Sequence, residues 1–510
     1  MSLLVRLLIA LAAFAVALPA CAESADIAAA SRGVVRVVLV ANDGQTIQYV
    51  GHGSGFAVSP TLVVTNAHVV AAARDSDTMM IGVVPSEGSS GYLAKVVAYS
   101  PRNDLALLRL IDKGSIPALT LFPGAVEDGG EVYAVGYPGN VDLAQGLSLA
   151  EIVEPQSAVK TRGYVSSGRS SRQFETLLHT APVGSGNSGG PLLDSCGRVI
   201  GVNSFGTLSE GADSEFYFAV SLRELAGFLR EAGVTPRIAG MPCRSLAELD
   251  RADSQRLASE QALSDAQARR QTAASDKARA DAQRRAELEV IAERENGLAL
   301  AALLLVAALA AGGTALVIEQ RGERRKALIA GGAGIALLFV AIVAWLLRPP
   351  LDSIDERTAA SLSAGSPQPG VTGSQVAAGS FVCVFDPERS RATVSEVADV
   401  PLAWSATGCV NGRTQYGLAN DGWSRVLVPN DEATVSVNRY DPATRTYRVE
   451  RFLLSLEAMN AARAARSAVK APTCEADEAV ARDFGAGLET IKSLLPPRPN
   501  ERLVYKCQPR

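Results

Sequence analysis

The chain lacks an excess of charge of either sign. Its 510 residues carry 49 Lys and Arg against 53 Asp and Glu, which gives a net charge of -4. Proteins that bind nucleic acids usually present a strongly basic surface. The composition does not supply one, so we expect no nucleic-acid partner. The length exceeds that of one ordinary core and predicts two or more domains.

Long apolar runs are rare in this chain, and the first lies at its N-terminus. Residues 3–18 are apolar except for Arg6, and Pro19-Ala20-Cys21-Ala22 follow them. A short apolar run before small residues predicts a secretory signal peptide, here residues 1–22. Attachment of lipid at Cys21 and retention as an uncleaved anchor are the alternatives. All three place the following domain outside the cytoplasm.

Two further apolar runs, residues 297–318 and 327–347, are each long enough to cross a hydrocarbon core of about 30 Å as a helix. The connecting residues 319–326 are short and rich in Arg and Lys. Basic loops stay in the cytoplasm, so both flanking domains are expected on the other side. The sequence therefore predicts a two-span hairpin in a bacterial inner membrane, with its soluble domains in the periplasm.

Cysteines are also few. Six of the seven follow the predicted signal peptide, and an even set in an oxidising compartment predicts disulfides. Buried free thiols are the alternative. We expect neighbours in sequence to pair: Cys196 with Cys243, Cys383 with Cys409, and Cys474 with Cys507.

Residues 31–235 contain no long helical pattern until their end. Short β-rich runs alternate with Gly, Pro and Ser, a pattern typical of closed or paired antiparallel barrels. A capped helix is expected at residues 221–232. The predicted strands are 34–40, 55–58, 61–65, 94–99, 105–110, 132–135, 159–166, 199–203 and 216–220.

A glycine-rich stretch, residues 184–193, contains a serine that we single out as a candidate nucleophile. Ser188 lies among glycines and is followed at once by an apolar strand. Such glycines allow successive backbone N–H groups to point into one concavity, where an oxyanion can be held. An ordinary turn has similar composition. A catalytic role therefore needs a base and an acid elsewhere in the chain.

Two residues at strand ends fit those roles. His68 follows an apolar strand, and Asp104 precedes another. Taken alone, such a histidine is typical of a structural residue and such an aspartate of a turn cap. Together with Ser188 they supply a base, an orienting acid and a nucleophile.

The motifs around these residues resemble those of the trypsin-like serine peptidases, especially the HtrA/Deg branch. They are Gly-Ser-Gly-Phe at 53–56, Thr-Asn-Ala-His-Val-Val at 65–70, Asn-Asp-Leu-Ala-Leu-Leu at 103–108, and Gly-Asn-Ser-Gly-Gly-Pro-Leu at 186–192. The resemblance covers about residues 31–232. It implies two β-barrels with the active site in the cleft between them.

The resemblance also implies roles for individual residues. Ser188 would attack the scissile carbonyl, His68 would act as the general base, and Asp104 would orient His68. The N–H groups of Gly186 and Ser188 would form the oxyanion hole. No metal or organic cofactor is needed.

Departures from relatives bear on activation and specificity. Asn187 replaces the aspartate of pancreatic members, which argues against activation by a freed N-terminus. Pro182 stands where members specific for basic residues carry an acid, and no histidine follows Ser188, as glutamate-specific members require. The expected substrate pocket is apolar and suits small or medium aliphatic residues; its residues are Pro182, Val183, Phe218, Ala219 and Val220. We expect His179 in a strand and His52 on a solvated hairpin.

The remaining soluble segments lack family motifs, including any peptide-binding PDZ domain. Residues 244–296 contain no Gly or Pro and are rich in Ala and charged residues. This composition predicts a long solvated helix or weak coiled coil, with partial disorder as the alternative. A linker is expected at residues 348–380, before a small C-terminal α+β domain at 381–510 whose role stays open.

The fold class is thus multidomain: an all-β double-barrel protease domain, a long Ala-rich helix, a transmembrane hairpin and a small α+β domain. The leading hypothesis is a membrane-tethered periplasmic serine endopeptidase acting on envelope or misfolded polypeptides. The alternatives are an envelope sensor or scaffold that binds peptides with little turnover, and chaperone-like holding. Self-association would use the long helix or the hairpin.

Overall fold

The computed structural model describes residues 22–364 and 378–510, apart from 43, 45, 75, 77, 171–173, 208–214 and 475–476. The predicted signal peptide, except for its last residue, and much of the predicted linker lie outside the described residues. The chain divides into two compact units. The first comprises the residues up to 253 together with those from 374 onward, and the second comprises residues 254–373.

The first unit contains a closed six-stranded barrel. Its valine-rich strands bury side chains on both faces, as β-branched residues favour. The order around the barrel is β1-β2-β3-β6-β5-β4, and helix α2 (Ala67–Arg74) follows β3. The strands are β1 (Val34–Asn42), β2 (Ile47–Ser59), β3 (Leu62–Thr65), β4 (Met79–Pro85), β5 (Tyr92–Ser100) and β6 (Leu105–Leu110).

A second barrel follows, so the predicted double barrel is confirmed. Its strands run in the order β11-β8-β9-β10-β13-β12, and pairing of β11 with β12 closes it. Strands β7 (Thr120–Leu121) and β14 (Arg237–Ile238) extend it beside β12. The barrel strands are β8 (Glu131–Gly136), β9 (Val159–Ser170), β10 (Glu175–His179), β11 (Pro191–Asp194), β12 (Val199–Gly206) and β13 (Tyr217–Ser221).

Four further helices are found among the described residues of this part of the chain. Helices α3 (Gly139–Gln145) and α4 (Leu149–Ile152) connect β8 to β9. Helix α5 (Leu222–Glu231) is capped by Ser221, as expected from the sequence. Helix α1 (Ala22–Ser31) lies before the expected start of the domain, yet Ile27 is 2% exposed and packs into the core. The packed domain therefore begins earlier than residue 31.

Helix α6 (Leu246–Gln320) is 75 residues long and joins the predicted spacer to the first apolar run without a break. Helix α7 (Arg324–Leu346) contains the second run. By length and composition, both helices can cross a membrane. Helix α8 (Ser353–Ala364) lies within the predicted linker, residues 348–380. Arg357 of α8 pairs with Glu293 of α6 at 2.9 Å.

The C-terminal domain is a nine-stranded antiparallel sheet with two helices, so the expected α+β module is confirmed. The strand order is β18-β17-β16-β15-β23-β22-β21-β20-β19. The strands are β15 (Gly379–Phe385), β16 (Val400–Trp404), β17 (Cys409–Val410), β18 (Thr414–Gln415), β19 (Gly417–Ala419), β20 (Gly422–Leu427), β21 (Thr434–Asp441), β22 (Thr446–Leu453) and β23 (Glu501–Pro509). The helices are α9 (Leu456–Ala468) and α10 (Glu478–Lys492).

Strand β23 explains why two of the three predicted disulfides are wrong. The last strand of the chain inserts between β15 and β22, which places Cys507 opposite Cys383 rather than near Cys474. Cys383 therefore pairs with Cys507, and Cys409 pairs with Cys474. The expected bond between Cys196 and Cys243 is present.

The C-terminal domain packs against the protease-like barrels within the first unit. Asp26 of α1 and Arg391 form an ion pair at 2.5 Å, and both side chains are buried. Asn500 Nδ2 donates to Asp26 Oδ1 at 2.8 Å. The N–H of Leu456 donates to Glu87 at 2.8 Å. A buried cluster around Asp26 and an exposed contact at Glu87 thus join the two domains.

Candidate active site

His68 lies in the first turn of α2, just after β3 ends. Its Nδ1 is 2.9 Å from Oδ2 of Asp104 and 3.0 Å from Oδ1. The backbone N–H of His68 also donates to Oδ1 at 3.1 Å. The ring is half-exposed, with 52% of the side chain accessible. This arrangement holds Nδ1 of the ring, while about half of the side chain stays accessible.

Asp104 precedes β6 with a left-handed backbone, φ 51°, which aspartate tolerates better than most residues. Asn66 Nδ2 donates to its carbonyl at 2.8 Å, and Ser204 Oγ donates to Oδ2 at 2.6 Å. Burial acts to raise the pKa of Asp104, but the hydrogen bond and charge of His68 and the Ser204 hydroxyl together lower that pKa below its ordinary value. The carboxylate therefore stays ionised and can orient His68.

Ser188 lies in the loop between β10 and β11. Its hydroxyl donates to the carbonyl of Ser204 at 3.0 Å. The part of the chain that the structure describes shows no Ser188–His68 hydrogen bond. In free proteases such bonds are often long and shorten when substrate binds. Ser204, which sequence reasoning missed, thus contacts both Ser188 and Asp104.

Two peptide groups of the loop that carries Ser188, residues 180–190 and here called the serine loop, have fixed orientations. The N–H of Gly139 donates to the carbonyl of Ser185 at 2.8 Å, and the N–H of Gly190 donates to the carbonyl of Asn187 at 3.0 Å. The C=O and N–H of one trans peptide point in opposite directions. The N–H groups of Gly186 and Ser188 therefore face away from these anchors. Within the described residues neither N–H has an acceptor, so two neighbouring donors are available.

The rear of this loop requires glycine at position 186. Gly186 has φ 100°, and a Cβ there would lie 2.5 Å from the carbonyl oxygen of Tyr137 and 2.8 Å from Nε2 of His52. Ser54 Oγ donates to the carbonyl of Gly186 at 2.7 Å and accepts the N–H of Tyr137 at 2.9 Å. The hydroxyl of Ser54 therefore links the serine loop to β2 and to Tyr137, the residue that follows β8.

The predicted pocket residues divide into accessible and enclosed ones. Ala219 and Val220 are fully buried in the second barrel. Val183 and Phe218 are half-buried, and Pro182 is exposed. Phe205 stacks on Phe218 with ring centroids 4.8 Å apart and remains 42% exposed. Sequence reasoning missed Phe205, whose position opposite Phe218 depends on the pairing of β12 with β13.

The other two histidines are buried. The expectation of a solvated His52 is wrong: its side chain is 6% exposed, because α3 and the serine loop cover this end of β2. His179 ends β10, as expected for a strand residue, and is fully buried. Burial lowers the pKa of His179 to about 4. Within the described residues, no cluster of His, Cys, Asp or Glu is arranged to hold a metal ion.

Comparison with known proteins identifies the domain. Residues 53–202 match the trypsin-like peptidase domain. Serine protease Rv3671c of Mycobacterium tuberculosis is 32% identical over 230 residues, 44% of this chain and 53% of the relative. Magnetosome formation protease MamE of Paramagnetospirillum magneticum is 31% identical over 193 residues, 36% of this chain and 24% of the relative.

Mitochondrial serine protease HTRA2 of Bos taurus is 36% identical over 157 residues, 30% of this chain and 31% of the relative. The chain spans about half the length of the mycobacterial relative and smaller fractions of the other two. The similarity thus concerns one segment of the chain. Residues 53–202 form a trypsin-like peptidase domain that is homologous to the HtrA/Deg serine proteases.

Proposed function

We propose that the chain is a serine endopeptidase in which His68, Asp104 and Ser188 hydrolyse peptide bonds of polypeptide substrates. The observation that carries the proposal is the contact of Asp104 with Nδ1 of His68 at 2.9 Å, in a domain homologous to serine proteases. A partly buried carboxylate at that nitrogen favours the tautomer that leaves Nε2 free to accept a proton.

The residues divide the reaction between them. Ser188 Oγ attacks the carbonyl carbon as His68 takes its proton, and the N–H groups of Gly186 and Ser188 stabilise the oxyanion. His68 then protonates the leaving amine. Water hydrolyses the acyl-enzyme with His68 again acting as base. Asp104 keeps its charge throughout and stabilises the imidazolium.

The substrate pocket is proposed to be apolar. Val183 and Phe218 of the predicted pocket, together with the neighbouring Phe205, present accessible apolar surface. A small or medium aliphatic side chain preceding the scissile bond suits this surface. No acidic side chain stands at Pro182 to attract Lys or Arg.

The membrane hairpin is the second part of the proposal. Apolar side chains of α6 and α7 are exposed, including Leu303 at 69% and Phe339 at 68%, which is costly in water and favourable in lipid. The basic connection at residues 319–326 favours a cytoplasmic loop. Three disulfides suit the periplasm. Envelope or misfolded proteins are the substrates available there.

Cleavage of an unfolded protein tests the activity. We would incubate the detergent-solubilised full chain with denatured casein, beside Ser188→Ala and the control Ser259→Ala, which removes an exposed hydroxyl from α6. The proposal predicts cleavage by the wild-type and control proteins only. Equal cleavage by Ser188→Ala would overturn the proposed nucleophile. If the wild type and both variants bind casein but none of them cleaves it, the sensor or scaffold alternative is favoured.

Protease accessibility tests the topology. Proteinase K added to spheroplasts should degrade both soluble domains, whereas the same domains in inverted membrane vesicles should be protected. The opposite pattern would place the domains in the cytoplasm and contradict the proposed orientation.

A further inference from the structure

The rear of the serine loop contacts a buried histidine that the proposed mechanism does not use. Nε2 of His52 lies 2.8 Å from the carbonyl oxygen of Tyr137, and Nδ1 lies 2.5 Å from the hydroxyl of Tyr49. A carbonyl oxygen only accepts, so Nε2 carries the proton and Nδ1 accepts from Tyr49. The neutral ring therefore uses both of its nitrogens.

A buried ion pair lies beside this ring. Arg36 Nη2 is 2.8 Å from Oδ1 of Asp142, and the two side chains are 2% and 9% exposed. Oδ2 of Asp142 is 3.4 Å from Nε2 of His52. Arg36 also donates to the carbonyl of Ile152 at 2.6 Å and lies over the ring of Tyr137. The cluster of Arg36, His52 and Asp142 thus has a defined geometry without exposed charge.

This cluster crosses the seam between the two barrels. Arg36 and His52 belong to β1 and β2 of the first barrel, whereas Asp142 belongs to α3, in a connection of the second. The active site is divided across the same seam, because His68 and Ser188 come from different barrels. Contacts that fix the seam therefore also fix the distance between base and nucleophile.

The cluster contacts the serine loop at Gly186, whose N–H is one of the two proposed oxyanion donors. The carbonyl of Tyr137, which accepts from His52, lies 2.5 Å from where a Cβ of Gly186 would stand, and Nε2 of His52 lies 2.8 Å from the same point. Gly139, at the start of the helix that carries Asp142, holds the carbonyl of Ser185 through its N–H. The peptide that bears the Gly186 N–H is thus held between His52, Tyr137 and Gly139.

We propose that His52, supported by Asp142 and Arg36, is a positioning residue that keeps the Gly186 N–H aimed at the developing oxyanion. This inference rests on the proposed function and deepens it. Without the Nε2–H donor, the carbonyl of Tyr137 loses its buried partner and is free to rotate with the loop that packs against it. The loss falls on the chemical step, because the Gly186 N–H acts on charge that develops in the transition state.

Two substitutions of similar size separate this role from simple packing. Gln at position 52 keeps an N–H donor near the position of Nε2, whereas Met fills similar space without a donor. The readout is labelling of Ser188 by a fluorophosphonate, whose phosphoryl oxygen uses the same N–H donors, measured over a range of probe concentrations. We expect His52→Met to lower the maximal labelling rate about 10- to 100-fold. The half-saturating concentration should change less than about twofold, because binding precedes the chemical step.

His52→Gln should retain labelling within about threefold of the wild type, because the donor is restored. Gln145→Ala is the matched control, since it changes an exposed residue of the same α3. Thermal unfolding of each variant is recorded in parallel.

Three results would overturn the assignment. If His52→Met were labelled at the wild-type rate, the N–H donor at position 52 would not be needed. Equal losses in the Met and Gln variants, with a matching fall in thermal stability, would show a packing role. A change in half-saturating concentration alone would show a binding role. Wild-type protein that is not labelled at all would instead overturn the proposed function, and this inference with it.

Discussion

The hydroxyl of Ser204 donates a hydrogen bond to Oδ2 of Asp104 at 2.6 Å, while the carbonyl of Ser204 accepts from Ser188 at 3.0 Å. One residue of β12 thus contacts the acid and the nucleophile of the proposed triad. The first barrel supplies Asp104 and the second supplies Ser204, so this contact also joins the barrels at the site.

Ser204→Ala should raise the pKa of Asp104, because it removes one of the donors that lower it. A carboxylate with a depressed pKa stabilises the fold above its ordinary pKa, and that stabilisation is lost as the pH falls through the folded-state pKa. The variant should therefore unfold in acid at a higher pH than the wild type. Unfolding followed by circular dichroism between pH 2 and 6 measures the shift; an unchanged midpoint would show that this bond does not act on Asp104.

Gly186→Ala should lower the labelling rate of Ser188 about 10²- to 10³-fold, the typical effect of losing one oxyanion donor. The added Cβ meets the Tyr137 carbonyl and His52, and alanine disfavours φ 100°. Gly168→Ala is the matched control, because its Cβ would meet no atom within 4 Å. Wild-type rates in Gly186→Ala would exclude its N–H from the reaction.

Arg391→Met should destabilise the first unit by about 3–5 kcal/mol, the usual cost of breaking a buried ion pair by removing one partner. Burial already raises the pKa of Asp26, against the lowering effect of Arg391, so the remaining carboxyl would become still harder to ionise. Urea unfolding followed by the fluorescence of Trp404 and Trp423, both in the C-terminal domain, measures the change.

The double variant Asp26→Leu/Arg391→Met is the control for this effect. It should recover part of the loss, because no unpaired charge stays buried. A cost below about 1 kcal/mol for Arg391→Met would be typical of an exposed pair instead and would contradict the buried domain contact.

His179 should make the fold sensitive to acid. Its pKa is lowered from 6.5 to about 4 by burial, so the unfolded chain takes up a proton at a higher pH than the native chain. Its contribution to stability is present above pH 6.5 and is lost as the pH falls toward 4, by up to about 3 kcal/mol. His179→Phe should flatten the dependence of the unfolding free energy on pH over this range. An unchanged slope would contradict a neutral, buried His179.

The sequence was most informative where the relevant signal is local. The valine-rich runs predict strands, Ser221 predicts the start of α5, and the glycines around Ser188 predict a tight loop. These features depend on residues within a few positions of one another. Their assembly into two closed barrels came from the family resemblance rather than from periodicity.

The features that were missed depend on long-range pairing. Cys507 joins Cys383 because β23 returns to the centre of its sheet, which neighbour pairing does not anticipate. His52 was expected on a solvated hairpin, but α3, which lies more than 80 residues later in the chain, covers it. Ser204 reaches the site because β12 lies beside the serine loop. Phe205 reaches it through the register in which β12 pairs with β13.

The most direct test of the proposed endopeptidase is to locate the site of covalent labelling. The full chain, extracted from membranes, is treated with a fluorophosphonate and digested, and the modified peptide is sequenced by mass spectrometry, with His68→Ala treated in parallel. We expect an adduct on Ser188 in the wild type and a large loss of that adduct in His68→Ala. An adduct on another residue, or equal labelling of Ser188 in both proteins, would contradict it.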